Sequence, residues 1–224
     1  MATLQVHDVT KSFGKNQVLN DVSFTIETGN IFGIFGKNGS GKSTLLKILF
    51  GTLSAESLQL EINGTKISSS EVIKKQLITY LPQHPFLPNN QRVRDIIPMY
   101  FQGEKEQDAV SYNPFVAKLT HKKAGMLSHG ERKFFETILI SHLPHPFLML
   151  DEPFSMLEPL QIKALREFLM KISETKGIII TDHYYNDVLD ITSKNIVLRD
   201  GKSLTVNSID DLKKNEYLSK NQTK

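Results

Sequence analysis

The stretch GKNGSGKST, residues 36–44, stands between two segments with regular apolar patterns. Before it lies NIFGIF, residues 30–35, a short apolar run typical of a buried strand. After it lies LLKILF, residues 45–50, which is apolar at helical spacing. The stretch fits G-x-x-x-x-G-K-[ST], in which glycines let successive backbone N–H groups point at a phosphate chain. Strand, loop and helix together predict a phosphate-binding loop at a helix N-terminus.

Two side chains of this loop are predicted to contact a bound nucleotide and its metal ion. We expect Lys42 to contact the β- and γ-phosphates of a nucleotide, and the Ser43 hydroxyl to ligate Mg²⁺. The alternative is a glycine-rich turn without a ligand. The motif by itself does not separate kinases, GTPases and ATPases. The residues predicted to hold the nucleotide here are Gly36, Lys37, Asn38, Gly39, Ser40, Gly41, Lys42, Ser43 and Thr44.

Composition and charge exclude several function classes. The chain has 224 residues and a formal net charge of +3, which is too small to indicate a nucleic-acid partner by itself. It has no cysteine, which excludes disulfides, zinc–thiolate sites and thiol catalysis and is consistent with a reducing cytoplasm. The start, MATLQVHDV, does not resemble a signal peptide. No apolar run approaches the roughly 18 residues that a membrane span needs.

The segment FLMLDEP, residues 147–153, predicts a buried strand that ends in two acidic residues. Ligands of α/β sheets bind at the carboxyl ends of the strands. We therefore predict that Asp151 holds Mg²⁺, through a water molecule, and that Glu152 polarises a water for in-line attack on a γ-phosphate. A strand cap without catalytic function is the alternative interpretation.

Apolar strands alternating with helices predict an α/β fold, with a P-loop NTPase core built on a mixed, largely parallel sheet. TLQVHDV (3–9) and VSFTIE (22–27) alternate apolar and polar residues, which predicts N-terminal antiparallel strands. Prolines and short helical pieces predict a small helical lobe. Other predicted strands are 58–62, 77–81, 147–150 and 177–181, with helices at 41–50, 128–143 and 160–173 and a hairpin over 195–206 turning at Asp200-Gly201. One domain, 1–224, is expected, with a nucleotide-binding core (1–83 and 128–210), an inserted helical lobe (84–127) and a flexible tail (211–224).

The motif LSHGE, residues 127–131, precedes a long helical pattern, with Ser128 as the predicted N-cap and Glu131 as its capping-box partner. Together with the phosphate-binding loop and the acidic pair, this motif resembles the signature of the nucleotide-binding subunits of ABC transporters. The motifs occur in that family's order over about residues 3–205. The resemblance implies ATP as the nucleotide and Mg²⁺ as its metal.

The resemblance also implies roles for single residues. Phe13, in KSFGKNQVL, matches the aromatic that stacks on adenine, with core packing as the alternative. Gln83, in YLPQHP, matches the glutamine that touches Mg²⁺ or the attacking water. His183, in ITDHYY, matches the switch histidine beside the γ-phosphate. Ser128 and Gly130 match the residues that grip the γ-phosphate of a nucleotide held by another subunit.

Partners and location follow from the same resemblance. It implies a two-fold dimer, with a second copy or a paralogous ATPase subunit, that encloses ATP and drives a separate transmembrane permease. The chain is then expected at the cytoplasmic face of a membrane, as an ATP-hydrolysing motor subunit, with no nucleic-acid partner. Rival interpretations are a soluble ABC-type ATPase acting on ribosomes or DNA, a P-loop kinase, and an ATP-dependent scaffold with little turnover.

Departures from the family pattern occur at two motifs. His129 replaces a common glycine, and it would be strained if that position needs a positive φ. Histidine there is similar to the amino-acid and urea importer branch. Ser155-Met156-Leu157-Glu158 replaces the usual small-residue run that ends in Asp, and Glu158 is a candidate for the cross-dimer contact. DEPF, ITDH and ERK are similar to the lipopolysaccharide-transport branch, although such short segments do not assign a cargo.

Overall fold

Two β-sheets organise the chain in the computed structural model, which describes residues 1–215 and Tyr217. The first sheet contains β1 (Thr3–Phe13), β2 (Asn16–Glu27), β4 (Ser57–Ile62) and β5 (Thr65–Ile67). Its order is β2-β1-β4-β5, and every pair is antiparallel. This arrangement confirms the predicted N-terminal antiparallel strands.

The second sheet lies at the centre of the molecule. It contains β3 (Ile31–Phe35), β6 (Ile78–Leu81), β7 (Phe147–Asp151), β8 (Gly177–Thr181), β9 (Lys194–Arg199) and β10 (Lys202–Val206). Its order is β10-β9-β3-β8-β7-β6, parallel except for the hairpin β9–β10, which turns at Asp200-Gly201 as predicted. Every residue of β3, β7 and β8 is buried, because both faces of this sheet are covered. The predicted α/β fold with a mixed sheet is confirmed.

Helices and the first sheet cover the two faces of the central sheet. Successive side chains of a strand point to opposite faces, so Phe32 packs with α1 and the first sheet whereas Phe35 packs with α6, α7 and the lobe. Within the described residues, no helix is long and apolar enough to cross a membrane. The helices are α1 (Lys42–Phe50), α2 (Ser69–Lys74), α3 (Val93–Tyr100), α4 (Glu104–Ser111), α5 (Pro114–Ala117), α6 (His129–Ser141), α7 (Pro159–Ser173), α8 (Tyr185–Leu189) and α9 (Ile209–Lys214), with a 3₁₀ turn at Ala124–Met126.

The segment 84–127 contains α3, α4, α5 and the 3₁₀ turn, so its predicted helical character is observed. Its two ends lie side by side, because Val93 N–H donates to Lys122 O (3.0 Å) and Ala124 N–H donates to Gln91 O (2.9 Å). Closing the segment at its base in this way lets it stand as a lobe beside α6. The short elements β5 and α2 were not predicted from the sequence.

Strands β1 and β2 extend beyond the predicted segments 3–9 and 22–27. Their pairing contains register shifts between Val6 and Val9 and again up to Ser12. Asp8 and Asp21 have positive φ at these irregularities. A bulge adds an unpaired residue and interrupts the alternation of faces, so the two-residue period ends before the strand does.

The C-terminal part differs from the predicted tail 211–224. Helix α9 continues to Lys214, with Ser208 as its N-cap accepting a bond from Asp211 N–H (3.1 Å) and with Leu212 buried. A single buried apolar residue gives too weak a periodic signal to predict such a short helix. Residue 216 and residues 218–224, which complete the predicted tail, lie outside the described residues.

The loop between α6 and β7 is held by the lysine that immediately precedes β8. Lys176 Nζ donates to Leu143 O and His145 O, both at 2.6 Å. This half-buried ammonium thereby satisfies two carbonyls that follow a helix C-terminus, where intrahelical donors run out. It also fixes the point at which β7 enters the sheet.

Replacing Lys176 by Met removes both bonds while keeping the apolar stem. We expect the free energy of unfolding to fall by about 1–3 kcal/mol, because two partly buried carbonyls lose their donor. Urea unfolding followed by circular dichroism measures the change. An unchanged midpoint and slope would contradict this role of Lys176.

Candidate nucleotide-binding site

The phosphate-binding loop leaves β3 and ends at the first turn of α1. Gly41 is the N-cap of α1 and has φ 101°, a left-handed conformation that glycine adopts without strain. A Cβ there would lie 2.9 Å from side-chain carbons of Val18 and Leu19, so only glycine fits. The hydroxyl of Ser40 is buried in the loop and has no hydrogen-bond partner among the described residues. A free buried donor beside a helix N-terminus fits an anionic ligand such as phosphate.

Lys42, the first residue of α1, folds back over this loop. Its Nζ donates to Gly36 O at 2.6 Å and to Lys37 O at 3.3 Å. Burial lowers the pKa of Lys42 below its ordinary value, and the charges of Glu152, Asp151 and Asp182 partly offset this effect. The ammonium therefore lies between the phosphate-binding loop and an acidic cluster, where triphosphate oxygens can replace the two carbonyls.

Asp151, the last residue of β7, is 1% exposed and both of its oxygens are occupied. Thr181 Oγ1 donates to Oδ1 at 2.8 Å, and the Tyr80 hydroxyl donates to Oδ2 at 3.2 Å. Burial and the charge of Asp151 raise the pKa of Tyr80, which keeps its phenol protonated as a donor. Strands β8 and β6, on either side of β7, thus hold this carboxylate in one orientation.

Glu152 faces a different direction from Asp151. Its φ is 55°, an unfavourable conformation for a residue with a side chain, and such strain is common at functional sites. Gln83 Nε2 donates to Glu152 Oε2 at 3.1 Å, and His183 Nε2 lies 3.2 Å from Oε1. The structure therefore brings the three predicted catalytic residues into direct contact.

A further acid, Asp182, directly precedes His183 in the chain. It is 1% exposed and accepts bonds from Phe154 N–H at 2.8 Å and Tyr184 N–H at 3.1 Å. Burial raises the pKa of Asp182 to about 6, although these backbone bonds act in the opposite direction. Asp182 thus joins the loop that follows Glu152 to the residue that follows His183, which restrains the separation of the two loops.

The signature motif begins α6. Ser128 is its N-cap and, as predicted, forms a capping box with Glu131, since Glu131 N–H donates to Ser128 Oγ (3.1 Å) and Ser128 N–H donates to Glu131 Oε2 (2.9 Å). Helix α6 ends at Ser141, slightly before the predicted end at 143. Ser128 is exposed, and its hydroxyl proton remains available to a ligand.

The departures in the signature and the following loop have local explanations. His129 is helical and does not have a positive φ, so the strain considered for this position is absent. Gly130 packs so closely on Met156 that a Cβ would lie 2.3 Å from Met156 O. This contact by itself requires a glycine at position 130, whether or not a ligand binds there. The Glu158 side chain takes part in the capping box of α7. Glu158, the candidate for the cross-dimer contact, therefore already has a partner within its own chain.

Phe13 is 50% exposed, and Lys11 Nζ lies 5.2 Å from the centre of its ring. This exposure argues against the core-packing alternative and leaves a ring face accessible. Phe13 pairs with Asn16 across the β1–β2 hairpin. Asn16 in turn lines a cleft of about 360 Å³, together with residues 37–40 of the phosphate-binding loop and residues 197–201. Adenine stacking on Phe13 stays a prediction.

The residues present fit a magnesium ion chemically. The predicted ligands Ser43, Gln83 and Asp151 offer hydroxyl, amide and carboxylate oxygens, the donors that Mg²⁺ prefers. The Asp151 carboxylate retains free lone pairs beyond its two hydrogen bonds. Gln83 uses its amide nitrogen toward Glu152, which leaves its oxygen for a metal or a water.

Sequence reasoning missed four residues that support this site: Tyr80, Lys133, Thr181 and Asp182. Lys133 is 8% exposed and donates through Nζ to Pro82 O (3.1 Å) and Gln83 O (3.0 Å). Its spacing of four from His129 on a predicted helix was a usable signal, since both side chains line one cleft with Gln83 and Glu152.

Asp182 generates a pH prediction for the nucleotide-free protein. Its pKa is about 6 in the folded protein and 3.8 in its ordinary state, so the folded protein binds the proton more tightly. The contribution of Asp182 to the free energy of unfolding therefore increases as the pH falls through 6. Relative to Asp182→Asn, we expect the wild type to gain about 1 kcal/mol of unfolding free energy between pH 7 and pH 5. Parallel urea unfolding of both proteins tests this, and a pH-independent difference would contradict it.

Comparisons with known proteins agree with this geometry. A family model described as ABC transporter matches residues 19–155. An uncharacterised ABC transporter ATP-binding protein of Methanocaldococcus jannaschii is 30% identical over 219 residues, which cover 93% of this chain and 79% of that protein. The lipopolysaccharide export system ATP-binding protein LptB of Acidithiobacillus ferridurans is 26% identical over 216 residues, covering 92% and 90%.

Solved structures show the same fold. A nucleotide-free ATP-binding cassette from an ABC transporter aligns with a TM-score of 0.81 at 21% identity, covering 98% of this chain and 97% of that one. A bacterial Atm1-family ABC exporter with ATP bound gives a TM-score of 0.81 at 20% identity, covering 95% and 40%. Because the family model spans more than half of the chain and a relative of similar length is 30% identical, this chain belongs to the ABC transporter family, as an ATP-binding subunit.

Proposed function

We propose that this ATP-binding subunit hydrolyses ATP, and that it dimerises around ATP to drive a separate membrane permease. The observation that supports hydrolysis most directly is the position of Glu152 between Gln83 and His183, at 3.1 and 3.2 Å. A carboxylate held on both oxygens close to the Lys42 ammonium of the phosphate-binding loop can act as the base that orients an attacking water. Membership of the ABC transporter family favours an ATPase over a kinase.

Binding depends on the phosphate-binding loop. Lys42 exchanges Gly36 O and Lys37 O for oxygens of the β- and γ-phosphates, and the Ser40 hydroxyl gains a partner. The backbone N–H groups of the first turn of α1 face the same charge. Phe13 offers its exposed ring to the adenine, a contact that does not depend on hydrogen bonds to the base.

Hydrolysis depends on the acidic edge. Glu152 accepts a hydrogen bond from the attacking water and aligns it with the γ-phosphate. His183 and Gln83 hold the carboxylate in that direction, and His183 also reaches toward the γ-phosphate. Ser43, Asp151 and Gln83 would hold Mg²⁺, which when bound neutralises charge on the β- and γ-phosphate oxygens. Thr181 and Tyr80 keep Asp151 oriented for this task.

Dimerisation is inferred from the signature motif. Ser128 is exposed at the N-cap of α6, where its hydroxyl and the first-turn N–H groups other than that of Glu131, which donates to Ser128 Oγ, form an anion site. We assign this site to the γ-phosphate bound by a second copy or a paralogous subunit. Two such contacts close the dimer, and they are lost with the γ-phosphate, so hydrolysis reopens it.

A permease partner is inferred from the relatives. Their names include a lipopolysaccharide export protein, a ribose import protein and a sulfate/thiosulfate import protein. These names cover both directions of transport and unrelated cargoes, which agrees with specificity residing in another polypeptide. The rival function, action on ribosomes or DNA, is not favoured by these relatives, whose names describe transport.

Glu152→Gln keeps the shape of the side chain but removes the negative charge that polarises water. We expect ATP binding to persist, turnover to fall by about a hundredfold or more, and a dimer to accumulate with MgATP. Size-exclusion chromatography with and without MgATP, together with phosphate release, measures both effects. Lys42→Ala is the matched control, which should lose nucleotide binding and remain monomeric. Unimpaired turnover in Glu152→Gln would refute the catalytic role of Glu152.

Affinity capture from detergent-solubilised membranes tests the transport role. The tagged wild-type chain should recover a polypeptide with several apolar spans, and mass spectrometry identifies it. Vesicles that contain both proteins should then hydrolyse ATP faster than the subunit alone. Recovery with ribosomes or DNA, without such a membrane protein, would overturn the transport proposal in favour of the rival.

A further inference from the structure

Side chains of helix α6 form hydrogen bonds with the segment that contains Gln83. Lys133 Nζ donates to Pro82 O at 3.1 Å and to Gln83 O at 3.0 Å, and the side chain is 8% exposed. These are the main-chain carbonyls of the residue that orients Glu152 and of its neighbour. Lys133 is therefore linked to Glu152 through Gln83, whose main-chain carbonyl accepts from Lys133 and whose side-chain amide donates to Glu152.

The next turn of α6 holds the other end of the same segment. Phe86 N–H and Leu87 N–H donate to Glu136 Oε1 at 3.2 and 3.5 Å, and Glu136 is fully buried. Arg132 donates to the same oxygen at 3.1 Å and to Asn89 Oδ1 at 2.7 Å. The segment 82–89 thus rests on three side chains of a single helix, and Lys133 is the one that reaches Gln83.

Charge reinforces the position of Lys133. Burial lowers its pKa, whereas the negative charges of Glu136, Asp151, Glu152 and Asp182 act to raise it. A buried cation is retained only where charges or hydrogen bonds compensate its desolvation. Here the acidic cluster supplies the charge and the two carbonyls supply the hydrogen bonds.

We propose that Lys133 is a positioning residue for ATP hydrolysis, which fixes the main chain of Gln83 so that its amide holds Glu152. The inference rests on the proposed hydrolytic function. Because Ser128 lies at the start of the same helix, Lys133 also connects the signature end of α6 to Gln83.

The chain offers a matched control in Lys176. This second lysine also donates to two backbone carbonyls, Leu143 O and His145 O, but in a loop away from the catalytic carboxylates. The experiment compares the full-length wild type with Lys133→Met, Lys133→Gln and Lys176→Met. For each protein, ATP affinity is measured by calorimetry, kcat by phosphate release, and hydrogen–deuterium exchange by mass spectrometry on peptides that cover 82–89.

Lys133→Met should lower kcat by about ten- to a hundredfold, because a misplaced catalytic group costs that much, and should change ATP affinity less than about threefold. Exchange over 82–89 should increase. Lys133→Gln, which keeps a donor without the charge, should fall between Met and wild type, and it decides the test if Lys133→Met does not fold. Lys176→Met should keep the wild-type kcat.

Three outcomes would overturn the proposal: wild-type kcat in Lys133→Met or, if that variant does not fold, in Lys133→Gln; unchanged exchange over 82–89; or an equal loss of kcat in Lys176→Met. The last result would mean that any loss of stability impairs turnover. If the wild type itself does not hydrolyse ATP, the proposed function fails. In that case the exchange measurement alone decides whether Lys133 holds Gln83 in place.

Discussion

The parallel pairing of β3, β8, β7 and β6 is the constraint on which the site depends. Parallel strands place their carboxyl ends at one edge, and Asp151 pairs with Thr181 at the end of that ladder. The phosphate-binding loop, the acidic pair and the histidine loop each follow one of these strands directly. A change of register by one residue would turn the Asp151 side chain toward the opposite face and separate it from its partners.

The charges gathered at this edge partly compensate one another. Asp151, Glu152 and Asp182 lie near two buried lysines, Lys42 and Lys133, and both lysines have pKa values lowered by burial. The Nζ atom of each lysine donates hydrogen bonds to backbone carbonyls of a neighbouring loop. Lys42 can turn to phosphate while Lys133 continues to offset part of the negative charge of the acids.

The unusual residues of the signature and the following loop are accommodated locally. His129 takes the first helical position of α6, where no special backbone angle is required. Gly130 is needed because the carbonyl of Met156 lies against it, and Glu158 caps its own helix. These contacts join the signature helix to the loop after Glu152. Both elements therefore belong to one packed unit, together with the segment that contains Gln83.

The sequence alone determined the phosphate-binding loop, the buried strands, the N-cap at Ser128 and the identity of the acidic pair. Each of these depends on glycine, periodicity or capping within a short segment, so local chemistry is sufficient. The tertiary structure decided that Tyr80 and Lys133 support the site, because their partners lie 71 and 50 residues away in the chain. Such contacts depend on strand order and on the position of α6 against the sheet. The sequence shows that Lys133 shares a helix face with His129, but not which loop that face contacts.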